Sequence, residues 1–298
     1  MTVLSDMQIE FRGLTLHGTR RRGRITFHTL EGWNGWSGRA AMPDRELGHG
    51  SFDGPVYGNA RRVLVSGRFA DRISRDEAFM ALESSLVPSD PEAPPEDLRV
   101  TQFGRTLTAG ARLLRFAPIV SRDNAWGAGV FDWAAEWVCP DPLRYGEATS
   151  VRTSFPFSPG GLRFPLYTNR QGARTGVLTY GPRSTSGRIT LENPGTATMY
   201  TQLQVTGPVA GQGFDVVEVG TGRRLRFQDA VSSTSSLVID SATGNVLIDG
   251  DSDRGGRLTI RDWEVLWVQP GESKEIEFVP LGTRTDAELT AVMRPGWW

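Results

Sequence analysis

Few residues in this chain have the type and spacing for chemistry. His49 stands in Asp44-Arg45-Glu46-Leu47-Gly48-His49-Gly50, with two carboxylates close in sequence. A general base needs a converging carboxylate and a pocket, and sequence proximity supplies neither. The flanking glycines permit positive φ, so the segment reads as a shaped loop carrying a structural histidine. Asp249-Gly250-Asp251-Ser252-Asp253-Arg254-Gly255 spaces acidic residues as a calcium loop does. That motif needs glycine at its sixth place and glutamate at its twelfth. Arg254 and Ile260 stand there instead, so a solvated turn is the better reading. Arg20-Arg21-Arg22-Gly23-Arg24 has the charge to grip phosphates but is short and lacks interleaved aromatics. It reads as a solvated turn or a subunit contact. The single cysteine, Cys139, sits beside Pro140 with no histidine near it in sequence, which argues against a catalytic thiol. Walker, nucleophile-elbow and dinucleotide glycine patterns are absent. The expectation is a protein that is not an enzyme and uses neither cofactor nor metal.

Tryptophan is abundant: nine residues, among them Trp33 and Trp36 in a glycine-rich loop and the pair Trp297-Trp298. Exposed aromatics suit protein contacts or sugar stacking, while packing beneath their own loops is the alternative.

The elements that must position these residues alternate in the manner of β-strands. Met7–Phe11, Gly13–Gly18, Ile25–Leu30, Arg61–Phe69, Leu98–Phe103, Arg105–Phe116 and Gly129–Val138 read as extended, and Glu31–Gly54 as a long loop. Ser74 is placed to cap a helix over Arg75–Leu86, with Asp76 and Glu77 complementing its dipole. The first half is thus an α+β, barrel-like or split-barrel domain with one helix. Pro140 and Pro142 then remove two backbone donors. They mark an exit between domains at 1–145 and 146–298. Residues 150–183 read as a long irregular arm, a length that usually serves an interface. From Gly187 onward, short strands recur between turn signals such as Asn193-Pro194-Gly195, Gly220-Thr221-Gly222 and Pro270-Gly271, the pattern of a β-sandwich. Trp263–Val268 is read among these strands. The stretch Ala287–Met293 can close the sandwich or return to the first domain with Trp297 and Trp298. Neighbourhood in sequence favours the sandwich.

Bulk numbers agree with two mainly β domains. The chain has 298 residues, 35 glycines, 18 prolines and a net charge of -1, so no overall field draws it to nucleic acid. One cysteine excludes an internal disulfide framework. No apolar run is long enough to span a bilayer, and Met1–Glu10 lacks the pattern of a secretory signal, so folding in the cytoplasm is expected.

Several pieces together resemble one family. They are the Asp44-Arg45 and Gly48-His49-Gly50 loop, Arg62-Val63-Leu64-Val65-Ser66-Gly67 with the helix after it, and Cys139-Pro140-Asp141-Pro142-Leu143-Arg144-Tyr145. Further on come Asn193-Pro194-Gly195, Val205-Thr206-Gly207-Pro208, Leu237-Val238-Ile239-Asp240 and Pro270-Gly271-Glu272. In order and spacing the chain resembles the distal tail proteins of long-tailed, non-contractile bacteriophages. The resemblance implies a homohexameric ring at the tail tip, formed by the first domain around the DNA channel. It also implies a galectin-like β-sandwich pointing outward as the second domain. Tail tube protein and tail-tip or tape-measure-associated proteins are the implied partners, with host-surface glycans the alternative. The implied location is the virion tail tip, after synthesis in the host cytoplasm. On this reading Trp33, Trp36, Asp44, Arg45, His49, Trp297 and Trp298 belong to an assembly interface. The 150–183 stretch departs from the family pattern.

Overall fold

A computed structural model describes residues 7–18, 24–71, 73–88, 90–119, 129–158 and 184–298. Residues 20–23 of the basic turn, Trp126 and most of the expected irregular arm lie outside these residues. The chain divides into two compact units, Met1–Glu147 with Gly296–Trp298, and Ala148–Pro295. The fold is mainly β with one α-helix among the described residues.

The first unit contains β1 (Gln8–Phe11), β2 (Leu14–His17), β3 (Thr26–Glu31), β4 (Gly38–Ala40), β5 (Val56–Gly58) and β6 (Arg61–Ala70). Helix α1 (Arg75–Ser85) and strands β7 (Glu96–Gln102), β8 (Arg105–Ile119), β9 (Val130–Cys139) and β10 (Arg144–Tyr145) follow. The order β8-β7-β1-β2-β3-β6-β9, with β9 pairing back onto β8, makes a closed barrel. The long strand β8 performs the closure. Its first half, Arg105–Ala111, pairs with β7, and its second half pairs with β9. A bulge between Leu113 and Arg115 turns the strand between its two partners. Period-two alternation fills the interior: Phe131, Trp133, Ala135, Trp137 and Cys139 from β9 meet Val63, Val65 and Phe69 from β6. Gly67 shares that inner face because a Cβ there would come within 2.6 Å of the Trp133 ring and 2.1 Å of the Thr26 carbonyl oxygen.

Helix α1 buries Ala78 and Leu82, and Phe79 meets Phe131 edge-on at 5.6 Å. Ser74 does precede the helix, but its side chain makes no capping bond. The hydroxyl donates to Asp71 instead, at 3.0 Å.

The second unit holds β11 (Thr149–Ser154), β12 (Arg188–Glu192), β13 (Met199–Tyr200), β14 (Gln202–Thr206), β15 (Phe214–Glu218), β16 (Arg224–Phe227) and β17 (Ser236–Asp240). It continues with β18 (Val246–Ile248), β19 (Ser252–Asp253), β20 (Leu258–Arg261), β21 (Trp267–Val268), β22 (Ser273–Pro280) and β23 (Glu288–Met293). Sheets β11-β23-β14-β17-β18-β19 and β12-β22-β15-β16-β20 form a sandwich. Its core includes Phe155 stacked on Phe278 at 4.0 Å and Phe214 edge-on to Phe278 at 5.1 Å.

Three expectations are corrected here. Ser150–Ser154, expected to be irregular, belongs to the edge strand β11, which finds a partner along the whole of β23. Trp263–Leu266, expected to be strand, is a 3-10 turn before β21, opened by the Val265 N–H bonding back to Asp262 O at 3.0 Å. The end of the chain splits. Glu288–Met293 pairs inside the sandwich, but Gly296–Trp297 forms β24, which pairs with β10 in the barrel unit. Arg294-Pro295 separates the two, and the missing proline N–H ends one ladder before the next begins.

Candidate assembly surface

Between β3 and β6 the barrel chain leaves the sheet and returns as an arm. Strands β4 and β5 pair as Gly38↔Gly58, Arg39↔Tyr57 and Ala40↔Val56. Beyond them the ribbon is irregular. Pro43 and Pro55 cannot donate to a ladder, and isolated bonds carry it on: Ala41 N to Pro55 O, Phe52 N to Pro43 O and Arg45 N to Gly50 O. Gly54 is required where the strands close, since a Cβ would lie 2.0 Å from Ala41 O. Every residue from 34 to 50 is exposed.

The arm carries apolar side chains into solvent. Leu47 at its tip is 96% exposed, and Phe52, Val56 and Tyr57 are each more than half exposed. Asp44, Arg45 and His49 lie exposed at this tip, with Asp44 bridged to Ser51 and Arg45 over the Phe52 ring at 5.5 Å. The fold brings Asp44, Arg45 and His49 into one loop.

The arm's root is fixed by two buried arginines. Arg61 projects from the first position of β6 on the same inner face as Val63 and Val65. Its Nη1 donates to the carbonyl oxygens of Gly32, Trp33 and Gly35 at 3.0, 2.7 and 2.6 Å. Its Nε and Nη2 donate to Pro142 O at 2.9 and 2.7 Å. One guanidinium thus ties the loop that enters the arm to the Pro140-Pro142 segment. Burial pushes its pKa down, opposed by Cys139 and Asp141. Arg144 donates to Asn34 Oδ1 at 3.1 Å and to the main-chain oxygen of Trp298, and lies over the Trp33 ring at 5.7 Å. Burial first, then repulsion from Arg61 and Arg105, brings its pKa down to about 10, so it stays charged at neutral pH. Asn34 and Gln102 exchange amide bonds at 2.6 and 3.2 Å and complete the root.

The tryptophans divide between core and surface. Trp33 is fully buried and Trp297 nearly so, with Arg105 over the latter's ring at 4.7 Å. Both indoles belong to the barrel core beneath the root. Trp36 and Trp298 are 59% and 39% exposed and meet each other at 6.1 Å. A Cβ on Gly58 would come within 2.8 Å of the Trp298 ring, so the returning segment lies directly against the arm. A cleft of about 630 Å³ opens here, lined by Asn34, Trp36, Ser37, Asn59, Arg61 and Pro142. Arg61 and Arg144 were not among the sequence candidates. The available signal was Arg61's inward parity with Val63 and Val65.

The remaining sequence candidates have structural uses. Asp249 Oδ1 accepts from Ser236 N–H at 2.9 Å and Asp253 Oδ1 from Gly255 N–H at 2.7 Å, so both carboxylates serve turns. Among the described residues no group of three or more His, Cys, Asp or Glu side chains converges to hold a metal. Cys139 is buried in the barrel core, and burial pushes its thiol up to about 11, far from a reactive thiolate at neutral pH. No helix among the described residues is long and apolar enough to cross a membrane.

No known family model and no curated protein matches this sequence. Solved structures do. The SPP1 Dit protein, a paradigm of the hub adsorption apparatus in phages infecting Gram-positive bacteria, superposes with a TM-score of 0.62 at 12% identity. The match covers 98% of this chain and 99% of that one. The phage p2 baseplate in its activated conformation matches at 0.45 with Ca and 0.43 with Sr, each at 10% identity over 96% of this chain and 97% of that one. At 12% identity the SPP1 match establishes fold alone, and it does so end to end: in fold, this chain is similar to a phage distal tail protein over nearly its whole length.

Proposed function

We propose that this chain is a structural protein of a bacteriophage tail tip, a distal tail protein whose barrel units self-assemble into a hexameric ring. The ring would join the tail tube to tail-tip or tape-measure-associated proteins around the DNA channel, and the chain would have no catalytic role. One observation carries the reading beyond fold. Of the large apolar side chains left exposed among the described residues, all but Tyr200 belong to the barrel unit, and its arm alone holds Leu47, Phe52, Val56 and Tyr57. Large apolar side chains gathered exposed on one projection suit a contact face. The exposed candidates Trp36, Asp44, Arg45, His49 and Trp298 fall on or beside the arm, and the buried Trp33 and Trp297 act by supporting it. Negative-stain images of the full chain mixed with tail tube protein test this. The reading expects six-fold rings capping the tubes. Bare tubes beside dispersed monomers would overturn it.

A second reading has an observation of its own. On the sandwich, Trp263, Trp267, Arg223 and Glu264 line a cleft of about 410 Å³, and Tyr200 stands edge-on to Trp267 at 5.8 Å. Indole faces rimmed by charged groups suit a saccharide. A glycan screen of the full chain should give hits that Trp267→Ala removes. A blank screen rejects this second reading and leaves the first intact.

A further inference from the structure

A surface helix ordinarily keeps its apolar residues on the core side and its charges outside. Helix α1 does not. Its inner side is complete: Ala78, Leu82 and Leu86 are buried, and Phe79 meets Phe131. Between 73 and 87 the exposed residues are Ile73, Asp76, Glu77, Met80, Glu83, Ser84 and Val87. Steps of three and four put Asp76, Glu77, Met80, Glu83 and Ser84 on one outward face of the helix. Ile73 and Val87 flank its two ends. Ile73, Met80 and Val87 are 82%, 59% and 42% exposed. They recur at seven-residue intervals, the repeat by which one helix packs along another.

Both ends of this row are fixed. Asp71 accepts the Ile73 N–H at 3.2 Å and the Ser74 hydroxyl at 3.0 Å. Arg12 donates to the main-chain oxygens of Val87 and Ser85 at 2.8 and 3.4 Å, and the same guanidinium is paired with Glu96 at 2.5 Å. Arg12 does so from a φ of 48°, a left-handed conformation that residues other than glycine adopt only at a cost. The charge beside the row has one sign. The helix carries Asp76, Glu77 and Glu83 against Arg75 alone, and Arg75 is bonded to Asp76 at 2.7 Å.

From this acidic rim around fixed apolar knobs we infer that the outer face of α1 docks a basic amphipathic helix of a different protein. Ile73, Met80 and Val87 meet its apolar stripe, and its arginines or lysines face Glu77 and Glu83. Holding the knobs in place beforehand lowers the ordering cost of docking. A second copy of this chain is a poor occupant through the same face, because two such faces set acid against acid. Nucleic acid and anionic lipid are disfavoured on the same ground. The site is separate from the arm and stands whether or not the copies form a ring.

Fluorescence anisotropy on the full chain tests it. The probe is a labelled alanine-based peptide of about 20 residues, long enough to hold a helix, with leucine at heptad positions a and d and arginine at e and g. The native chain should bind it. Met80→Asp should weaken binding about tenfold or more. The double variant Glu77→Arg, Glu83→Arg should lose this peptide and gain one with glutamate in place of arginine. All three positions are exposed, so the variants should keep the barrel's amide-exchange protection. No binding by the native chain, or binding that neither variant weakens, would overturn the inference. Self-association of the native chain that Met80→Asp abolishes would overturn it too, by making a second copy the occupant. So would pelleting with phosphatidylcholine–phosphatidylglycerol vesicles that the same substitution abolishes.

Discussion

On the sandwich, the outer face of the five-stranded sheet is covered by charges that already have partners. Asp215 is clasped by Arg226 through two bonds of 2.8 and 2.7 Å and flanked by Arg224, and Arg188 reaches Glu277 and Glu275. On the barrel, the buried cations Arg61 and Arg144 turn inward to hold loop oxygens, and apolar side chains are left facing water. The sandwich spends its strong interactions on closing its own surface. The barrel spends them on holding up an arm that is apolar, exposed and held at its root. An exposed apolar projection held at its root is the observation behind the proposed assembly role of the barrel.

That contrast can be broken one residue at a time. The largest effect is expected from Arg61→Ala, which leaves the buried Trp33 carbonyl unpaired and unties the carbonyls of Gly32, Gly35 and Pro142 from one another. It should destabilise the barrel unit by about 3–5 kcal/mol. Arg61→Lys should recover little, because an ammonium lacks the planar fork that reaches both loops. Amide exchange resolved by segment should show the barrel opening while the sandwich keeps its protection. The mirror experiment is Asp215→Asn, which removes the charge that two arginines share. It should cost the sandwich about 2 kcal/mol in urea unfolding and, with the contact face proposed on the barrel, leave assembly unchanged.

A smaller effect, about 1 kcal/mol, is expected from Trp298→Ala, which removes the ring set against Trp36 and Gly58. The ribbon amides of Gly38–Ala40 and Val56–Gly58 should then exchange faster, and self-association should weaken although the arm's own residues are unchanged. Smallest is a pH effect on the barrel wall. The Arg68 hydrogen bond holds the Asp132 carboxyl below its usual range. Its contribution is therefore present above the ordinary carboxylate pKa and is lost as pH falls through the lower folded value. Arg68 is half exposed, which limits the pair to a few tenths of a kcal/mol. Asp132→Asn should flatten that part of the acid limb in a stability–pH profile and change little at neutral pH.

The same contrast explains what could be read in the sequence. Strands β6 and β9 were legible because one face of each is uniformly buried, and period-two alternation records that directly. Helix α1 was legible from Asp76, Glu77 and the spacing of Ala78 and Leu82. The arm read only as a loop, since an exposed ribbon punctuated by Gly and Pro has no buried face to write a period into the sequence. Trp33, Trp36, Trp297 and Trp298 look alike as residue types. Their division into support and surface is decided by Arg61, Arg144 and the returning β24, which are tertiary facts. Arg61 was recoverable in part, because an arginine in phase with Val63 and Val65 must either be misplaced or buried for a purpose. The split end was not recoverable. Neighbourhood in sequence favours keeping Trp297 and Trp298 with Glu288–Met293, and only the ladder with β10 separates them.

The central claim is that the barrel's arm makes the chain assemble. Sedimentation velocity on the full chain across a concentration series, beside a variant in which residues 44–51 are replaced by a two-residue Asn-Gly turn, tests it most directly. The account predicts that the native chain passes from monomer to a closed species of six copies. The shortened chain should stay monomeric, with both units still protected from amide exchange. A shortened chain that forms the same closed species at the same concentration would contradict it.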